Sequence, residues 1–226
     1  MVMQLILAST SQARQAVLRA AGIIPAQLWP PATDEAAVVE AANRASIAVG
    51  GSALTAAETV QLLAKAKAED VAERHRDQLR QQRFTGVILG GDSMFLLDGE
   101  LLGKPLVPEV ALERAKQHRG KTGVLYSGHW VVVVENGEII TGGGLVDSAT
   151  VRLCDDVTDE ELAAYVASGE PLQLAGGFAI DGLAGAFIDR IEGSHSCVMG
   201  LSLPALRRLL IGLGLNYTAL WQQNSN

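Results

Sequence analysis

The chain has 226 residues, which on a prior of about 150 residues per domain predicts one domain or one bilobed domain. Hydrophobic residues make up 48% and charged residues 19%, so the composition excludes a disordered protein. Lys and Arg number 18 against 25 Asp and Glu, and the resulting charge of −7 argues against binding DNA or RNA through its phosphates. A few cations in one cleft would still bind a small anion.

Cysteine usage and hydropathy indicate the compartment. The two cysteines, Cys154 and Cys197, form no C-x-x-C pair, so the sequence predicts neither a disulfide framework nor a zinc or redox motif. No signal-peptide pattern opens the chain, and no apolar run approaches the ~20 residues of a spanning helix. We therefore expect a cytoplasmic protein that does not insert into a membrane.

The first third of the chain shows strand, cap and helix patterns in turn. A buried strand at 4–8 precedes three capping residues, and a helix follows until Gly22 stops it. The next stretch contains prolines and paired glycines, and we interpret it as a loop with one or two short elements. The elements predicted here are a strand at 4–8, a helix at about 12–21, a loop at 24–55 and a long helix at about 56–82.

The remaining two thirds alternate between helices and paired strands. The Asn136-Gly137 step signals a hairpin, and Thr158 to Glu161 form a capping box. The predicted elements are a strand at 87–89, a helix at 108–118, two strands flanking 136–137, a strand at about 148–153, a helix from 158 to about 168, strands within 176–193 and a helix at about 204–213. This mixture predicts an α/β protein with a mixed sheet.

Arg14 occupies a position where the helical pattern favours an apolar residue. It shares a face with Val17 and Leu18, and it lies in the first turn, where the helix dipole disfavours a cation. An anion held by Arg14 and by the hydroxyls of Ser9 and Ser11 would explain this placement. The alternative is a surface arginine whose stem packs while its guanidinium reaches solvent.

Lys67 is anomalous in the same way within the long predicted helix. It lies on one stripe with Val60, Leu63 and Val71, whereas Lys65 lies on the opposite face. The pattern therefore indicates Lys67 as a candidate ligand-binding residue and Lys65 as a solvated charge. A lysine that reaches solvent over a packed stem is again the alternative.

The segment after Gly90-Gly91 carries the strongest constellation. An apolar strand is predicted to end at Asp92, and the carboxyl ends of strands are where α/β sheets usually bind ligands. Asp98-Gly99 then predicts a two-residue hairpin whose register places Lys104 opposite Ser93. That hairpin would bring a carboxylate and an ammonium together, either for Mg²⁺-phosphate chemistry or as a structural ion pair.

Other polar residues carry weaker signals. Asp34-Glu35 forms a second acidic site, although such a pair in a loop is also typical of a solvated turn. His118 lies among helical charges and is predicted to be solvated. His195 and Cys197 could share one side of a strand, but two ligands alone do not make a zinc site.

In their order and spacing these motifs resemble the Maf family of nucleoside triphosphate pyrophosphatases over nearly the whole chain. Ser9-Thr10-Ser11 with Arg14 is similar to the family's Ser-x-Ser-x-x-Arg signature, and Asp34-Glu35 is similar to its acidic pair. The segments that resemble the central and downstream motifs are Gly90-Gly91-Asp92-Ser93, Gly103-Lys104-Pro105, Ser168-Gly169-Glu170-Pro171, Ala175-Gly176-Gly177-Phe178, Asp181-Gly182 and Val198 to Pro204.

The resemblance implies a fold, an activity and a cofactor. The fold would be a single bilobed domain over residues 1–226, with an elongated, mixed twisted sheet like that of the inosine triphosphatases and a central nucleotide cleft between two lobes. The activity would be hydrolysis of a nucleoside triphosphate to a monophosphate and pyrophosphate, which removes modified or surplus nucleotides. Mg²⁺ or Mn²⁺ would be the cofactor, and a homodimer is common among the relatives.

The resemblance also implies roles for individual residues. Asp92 would be the general base that activates the attacking water, and with Glu35 it would hold the metal. The residues that would bind the substrate are Ser9, Ser11, Arg14, Lys67, Ser93, Lys104 and Asp181.

Departures from the family leave the preferred nucleobase of the substrate open. Ala13, Ser93 and Asp181 differ from the Arg, Thr and Gln of the branch that prefers dTTP and UTP. An acidic residue at 181 resembles the branch that acts on 7-methyl-GTP, yet Ala13 replaces that branch's Trp, which could stack on a cationic base.

A non-catalytic nucleotide-binding regulator of septum formation and cell division is the alternative function. A sugar-nucleotide transferase is disfavoured, because no second substrate motif is present.

Overall fold

The computed structural model describes residues 3–221, and over that range seven strands and eight α-helices form an α/β structure. The strands are β1 (Gln4–Ala8), β2 (Gln27–Leu28), β3 (Gly86–Leu97), β4 (Glu100–Leu102), β5 (Thr122–Glu135), β6 (Glu138–Leu153) and β7 (Ile188–Gly193). The helices are α1 (Gln12–Ala20), α2 (Glu35–Ala48), α3 (Ala56–Arg74), α4 (Arg76–Gln81), α5 (Pro108–His118), α6 (Asp159–Ala167), α7 (His195–Val198) and α8 (Leu203–Gly212).

The strands form one mixed sheet, as the sequence predicted. Their order is β2-β1-β3-β5-β6-β7, with β4 paired to β3 beside that path. β1 pairs in parallel with β2 and with β3, whereas β4 and β7 pair antiparallel with β3 and β6. None of the helices in residues 3–221 combines the length and the apolar character needed to cross a membrane.

The chain divides into two compact units. Among the described residues, the first unit comprises 3–92, 128–146 and 203–221, and the second comprises 93–127 and 147–202. Each unit contains a cluster of buried side chains, around Ile88 in the first and around Phe95 in the second. The single bilobed domain over residues 1–226 remains a prediction, and its two ends lie outside the described residues.

Elements with strong local signals form where the sequence predicts them. β1 and α5 have the predicted bounds, and the Thr158 capping box opens α6. Both hairpin turns adopt two successive positive φ angles, 50° and 85° at Asp98-Gly99 and 51° and 83° at Asn136-Gly137. Asn-Gly and Asp-Gly steps are favoured there because these residues tolerate the left-handed region.

Residues 24–55 were interpreted as a loop with one or two short elements, and this was wrong because one of the elements is long. A 14-residue helix, α2, occupies the middle of this stretch, and the Asp34 carboxylate caps it by accepting the N–H of Ala37 at 3.0 Å. The prolines and glycines that suggested a loop lie outside this helix and bound it. Glu35 is therefore the first residue of a helix and not part of a solvated turn.

Three other boundaries differ from the prediction. The long helix is interrupted at His75, whose ring stacks on Trp29 at 4.0 Å between centroids. The strand predicted at 148–153 is the end of the 16-residue β6. Where strands were expected within 176–193, the structure has two short 3-10 turns, Ala175–Gly177 and Leu183–Phe187, followed by the strand β7.

Asp92 lies inside a strand, although it was predicted at a strand end. β3 runs on to Leu97, but its parallel pairing with β1 stops at Gly90, opposite Ala8. Asp92 is therefore two residues beyond the parallel part of the sheet, at the edge where parallel sheets present polar groups to ligands.

Candidate active site

In the first unit, a buried lysine bridges two carboxylates. The Lys67 ammonium donates to Asp92 Oδ1 at 2.6 Å and pairs with Glu35 Oε1 at 2.8 Å. Lys67 and Asp92 are each only 7% exposed, whereas Lys65 is exposed on the opposite side of α3. The prediction that Lys67 faces inward is thus confirmed, and its ammonium does not reach into bulk solvent.

Two glycines in β3 allow this close approach. A Cβ at Gly90 would lie 2.3 Å from the carbonyl oxygen of Ala64 on α3, and a Cβ at Gly91 would lie 3.1 Å from Nε of Arg14. Neighbouring residues of a strand point to opposite faces, so α3 and the Arg14 side chain approach β3 from opposite sides. The absence of a side chain at Gly90 therefore allows α3, which carries Lys67, to pack closely on β3, and its absence at Gly91 leaves room for the Arg14 side chain.

Arg14 is held at the start of α1 by the serines that precede it. Its Nη1 donates to Ser9 Oγ at 3.2 Å, and its backbone N–H donates to Ser11 Oγ at 3.3 Å. Ser9 Oγ also accepts the N–H of Ser11 at 3.1 Å. These bonds join the predicted phosphate-binding residues Ser9, Ser11 and Arg14 into one group at the positive end of a helix.

Burial and the neighbouring cations act in opposite directions on the pKa of Asp92. Burial raises the pKa of Asp92 above its usual range, and the cations Lys67 and Arg14 oppose that rise. Burial also lowers the pKa of Arg14, while Asp92 and Glu35 raise it. Asp92 Oδ2 is buried and accepts no hydrogen bond from the described residues, so one oxygen of an anchored carboxylate is available to a further donor.

The carboxylates around Lys67 can supply only part of the ligand shell of a divalent cation. Within residues 3–221, no group of three or more His, Cys, Asp and Glu side chains could form a complete metal cage. Mg²⁺ is usually held by one or two carboxylates, with phosphates and water completing its shell. Oxygens of Asp92 and Glu35 already converge on one cationic atom, the Lys67 ammonium. These residues therefore fit a divalent cation that arrives with phosphate ligands.

In the second unit, Ser93 belongs to a network of hydroxyl groups. Its Oγ lies 2.9 Å from Ser127 Oγ and 3.4 Å from the carbonyl oxygen of Gly200, and Ser127 donates to the carbonyl oxygen of Cys197 at 2.9 Å. Ser127 is fully buried. Sequence reasoning did not identify it, because a lone serine within an apolar strand carries no periodic signal.

The other two predicted residues of the second unit are exposed. The β3–β4 ladder has the predicted register, with Phe95 opposite Leu102, but it ends there, so Lys104 follows the strand instead of pairing with Ser93. Asp181 lies in a turn before Gly182. Glu170 holds that turn by accepting the N–H of Leu183 at 2.9 Å.

Comparisons with known proteins cover nearly the entire chain. The sequence profile of one family, described as Maf-like protein, matches residues 4–213. A protein of Leifsonia xyli subsp. xyli named nucleoside triphosphate pyrophosphatase is 47% identical over 221 residues, which cover 98% of each chain. Proteins of the same name from Nocardia farcinica and Streptomyces coelicolor are 44% and 42% identical, over 98% and 96% of this chain and 98% and 94% of those proteins.

Proposed function

Because the chain belongs to the Maf family, we propose that it hydrolyses a nucleoside triphosphate to a nucleoside monophosphate and pyrophosphate. The observation that carries this proposal is the Asp92 carboxylate, which is buried, accepts a hydrogen bond from Lys67 at one oxygen and has no hydrogen-bond partner among residues 3–221 at the other. An anchored carboxylate with one available oxygen is suited to act as a general base toward a water molecule.

The reaction assigns a task to each group around Asp92. The carboxylate orients a water toward the α-phosphate and accepts its proton, the new P–O bond forms, and the bond to the β-phosphate breaks so that pyrophosphate leaves. Lys67 and Arg14 neutralise the phosphates and the charge that develops on the leaving group. Ser9, Ser11 and the start of α1 hold phosphate oxygens.

A divalent cation, Mg²⁺ or Mn²⁺, would be held by Asp92 and Glu35. When bound, it would neutralise phosphate charge and favour departure of pyrophosphate. Metal dependence is supported by the two carboxylate oxygens that already share one cation, the Lys67 ammonium.

The remaining assignments rest on the family resemblance. We assign Lys104 and Ser93 to substrate binding and Asp181 to contact with the base. The substrates would be modified or surplus nucleotides, and we propose a cytoplasmic enzyme that forms a homodimer. The net charge of −7 supports the proposal that neither DNA nor RNA is a ligand.

The test is a panel of UTP, dTTP, CTP, GTP, 7-methyl-GTP and ITP with Mg²⁺ and then Mn²⁺, in which pyrophosphate and orthophosphate are measured separately. We expect pyrophosphate from at least one nucleotide and a decrease of about 10²-fold or more in kcat for Asp92→Asn, which removes the base. Asp77→Asn, an exposed aspartate on α4, is the matched control and should retain the activity.

The alternative, a nucleotide-binding regulator, predicts a different result. Tight binding of one nucleotide without pyrophosphate release, in both metals, would favour the regulator and contradict the enzyme. Pyrophosphate release that persists unchanged in Asp92→Asn would remove Asp92 from the role of base.

A further inference from the structure

The Lys67 ammonium lies where the proposed divalent cation would bind. Its Nζ is 2.6 Å from Asp92 Oδ1 and 2.8 Å from Glu35 Oε1. Mg²⁺ lies at about 2.0–2.1 Å from its oxygen ligands. Two cations so close would also repel each other strongly, and therefore the ammonium and a divalent cation cannot share the same pair of oxygens.

The formal charges of the group already balance. Two carboxylates, Asp92 and Glu35, face two cations, Lys67 and Arg14, and all three neighbours act electrostatically on Asp92. A divalent cation that entered alone would leave two uncompensated positive charges beside buried groups, which a site of low dielectric constant disfavours. A triphosphate brings the negative charge that restores the balance.

Lys67 and Glu35 differ in how freely their side chains and backbones can move. The backbone of α3 near Lys67 is packed against β3, because Ala64 and Ala68 lie directly over Gly90. The ammonium itself is on a flexible four-carbon stem that can change partner while the helix stays in place. The Glu35 side chain is 52% exposed, and no residue of α2 is buried, so its carboxylate can adjust.

We propose that Lys67 is an internal cation that excludes free metal from the carboxylates until a nucleotide arrives, and that its ammonium then transfers to the phosphates. This inference rests on the proposed function, because it takes a metal–nucleotide complex as the substrate. Metal and nucleotide bind together, and the free enzyme has low affinity for the metal alone. Lys67 therefore has two successive partners, the carboxylates before binding and the phosphates after it.

The experiment measures Mn²⁺ binding without turnover, by electron paramagnetic resonance of the free ion. Wild type, Lys67→Met, Lys67→Gln and the matched control Lys65→Gln are titrated with Mn²⁺ alone at one fixed pH above neutrality. Lys67→Gln retains a hydrogen-bond donor, so it preserves the fold if the apolar Lys67→Met does not. Circular dichroism and thermal melts verify that each variant is folded.

We expect both Lys67 variants to bind Mn²⁺ about tenfold or more tightly than wild type, and Lys65→Gln to bind it as weakly as wild type. In wild type, after subtraction of the Mn²⁺ that the analogue chelates without protein, the α,β-methylene analogue of the best nucleotide in the panel should tighten Mn²⁺ binding, and this coupling should shrink in the Lys67 variants. Equal or weaker Mn²⁺ binding in folded Lys67 variants would overturn the proposal. So would wild type that binds Mn²⁺ alone as tightly as it does with the analogue.

These outcomes separate the two proposals. The arm with Mn²⁺ alone requires neither a nucleotide nor turnover, so it decides the role of Lys67 even if the panel yields no substrate. Pyrophosphate release by wild type combined with unchanged Mn²⁺ affinity in the variants would leave the proposed function standing and remove only the internal cation.

Discussion

Gly90 lies so close to Ala64 that a Cβ on the glycine would be 2.3 Å from the alanine's carbonyl oxygen. The backbones of β3 and α3 are therefore in direct contact at this point. Lys67 is one turn along α3 from Ala64, and Asp92 is two residues along β3 from Gly90, on the same face of the strand. The contact between these two small residues thus determines the reach between the ammonium and the carboxylate.

Gly90→Ala should destabilise the protein and disrupt the site together. The added methyl group meets backbone atoms that cannot rotate away, and overpacking of this kind costs about 1–3 kcal/mol. The decrease is measured as the free energy of unfolding in denaturant, with kcat measured in parallel. Gly212→Ala is the control, because its Cβ would meet no atom of another element within 4 Å among residues 3–221. Equal stability and activity in the two variants would refute the role of the close contact.

The activity should decline on the acid side at a pH set by Asp92. Burial raises the pKa of this carboxyl group above the ordinary value of 3.8, although Lys67 and Arg14 counteract it. A general base works only when ionised, so kcat/KM should fall as the pH drops through that raised pKa. In Lys67→Gln, the loss of the neighbouring cation should move the acid limb to higher pH. An acid limb that stays unchanged in this variant would contradict the assignment.

His118 should make the stability depend on pH. Burial lowers the pKa of His118 from 6.5 to about 4, and its ring packs edge-on against Phe95 and Phe178. Because the folded state resists protonation, this contribution is fully present above pH 6.5 and is lost as the pH falls toward 4. The loss corresponds to roughly 3 kcal/mol.

The check is denaturant unfolding of His118→Leu and of the control His195→Leu, an exposed histidine in the same unit. The apolar replacement suits the surroundings of His118, whose Nε2 has no hydrogen-bond partner among the described residues. His118→Leu should flatten the decrease in stability between these pH values, and His195→Leu should not. Parallel curves for wild type and His118→Leu would show that His118 does not titrate as expected.

Glu170 should stabilise the turn that carries Asp181. Its carboxylate accepts the N–H groups of Leu183 at 2.9 Å and Ala184 at 3.3 Å. Glu170→Ala should destabilise the fold by about 1–3 kcal/mol and accelerate amide exchange at both residues. The exposed ion pair of Glu192 is worth little, so Glu192→Ala should change neither quantity. Unchanged amide exchange at Leu183 and Ala184 in Glu170→Ala would show that Glu170 does not stabilise this turn.

Part of the site could be predicted from the sequence because its signals are local. A charged residue on an apolar helical stripe indicated that Lys67 is buried, and the structure confirms it. The turn at Asp98-Gly99 could also be predicted, because Asp-Gly steps tolerate the two successive positive φ angles that this turn adopts.

Other parts depend on tertiary contacts that no local pattern reveals. α2 was missed because none of its residues is buried, and an exposed helix has no apolar periodicity. His118 was predicted to be solvated, yet it is 2% exposed, because aromatic residues distant in the chain pack over it. The glycines at 90 and 91 were noticed, but which atoms approach them could not be inferred from the sequence.

The pairing of β3 at both ends also affects which genetic changes the protein can tolerate. The strand is aligned with β1 up to Gly90 and with β4 from Phe95 onward, so the number of residues between these positions is set from both sides. An inserted or deleted codon between them would shift one of these two registers by one residue, and the side chains on one side of the change would then turn to the other face of the sheet, because side chains alternate along a strand. This short stretch should therefore accept changes of residue far more readily than changes of length.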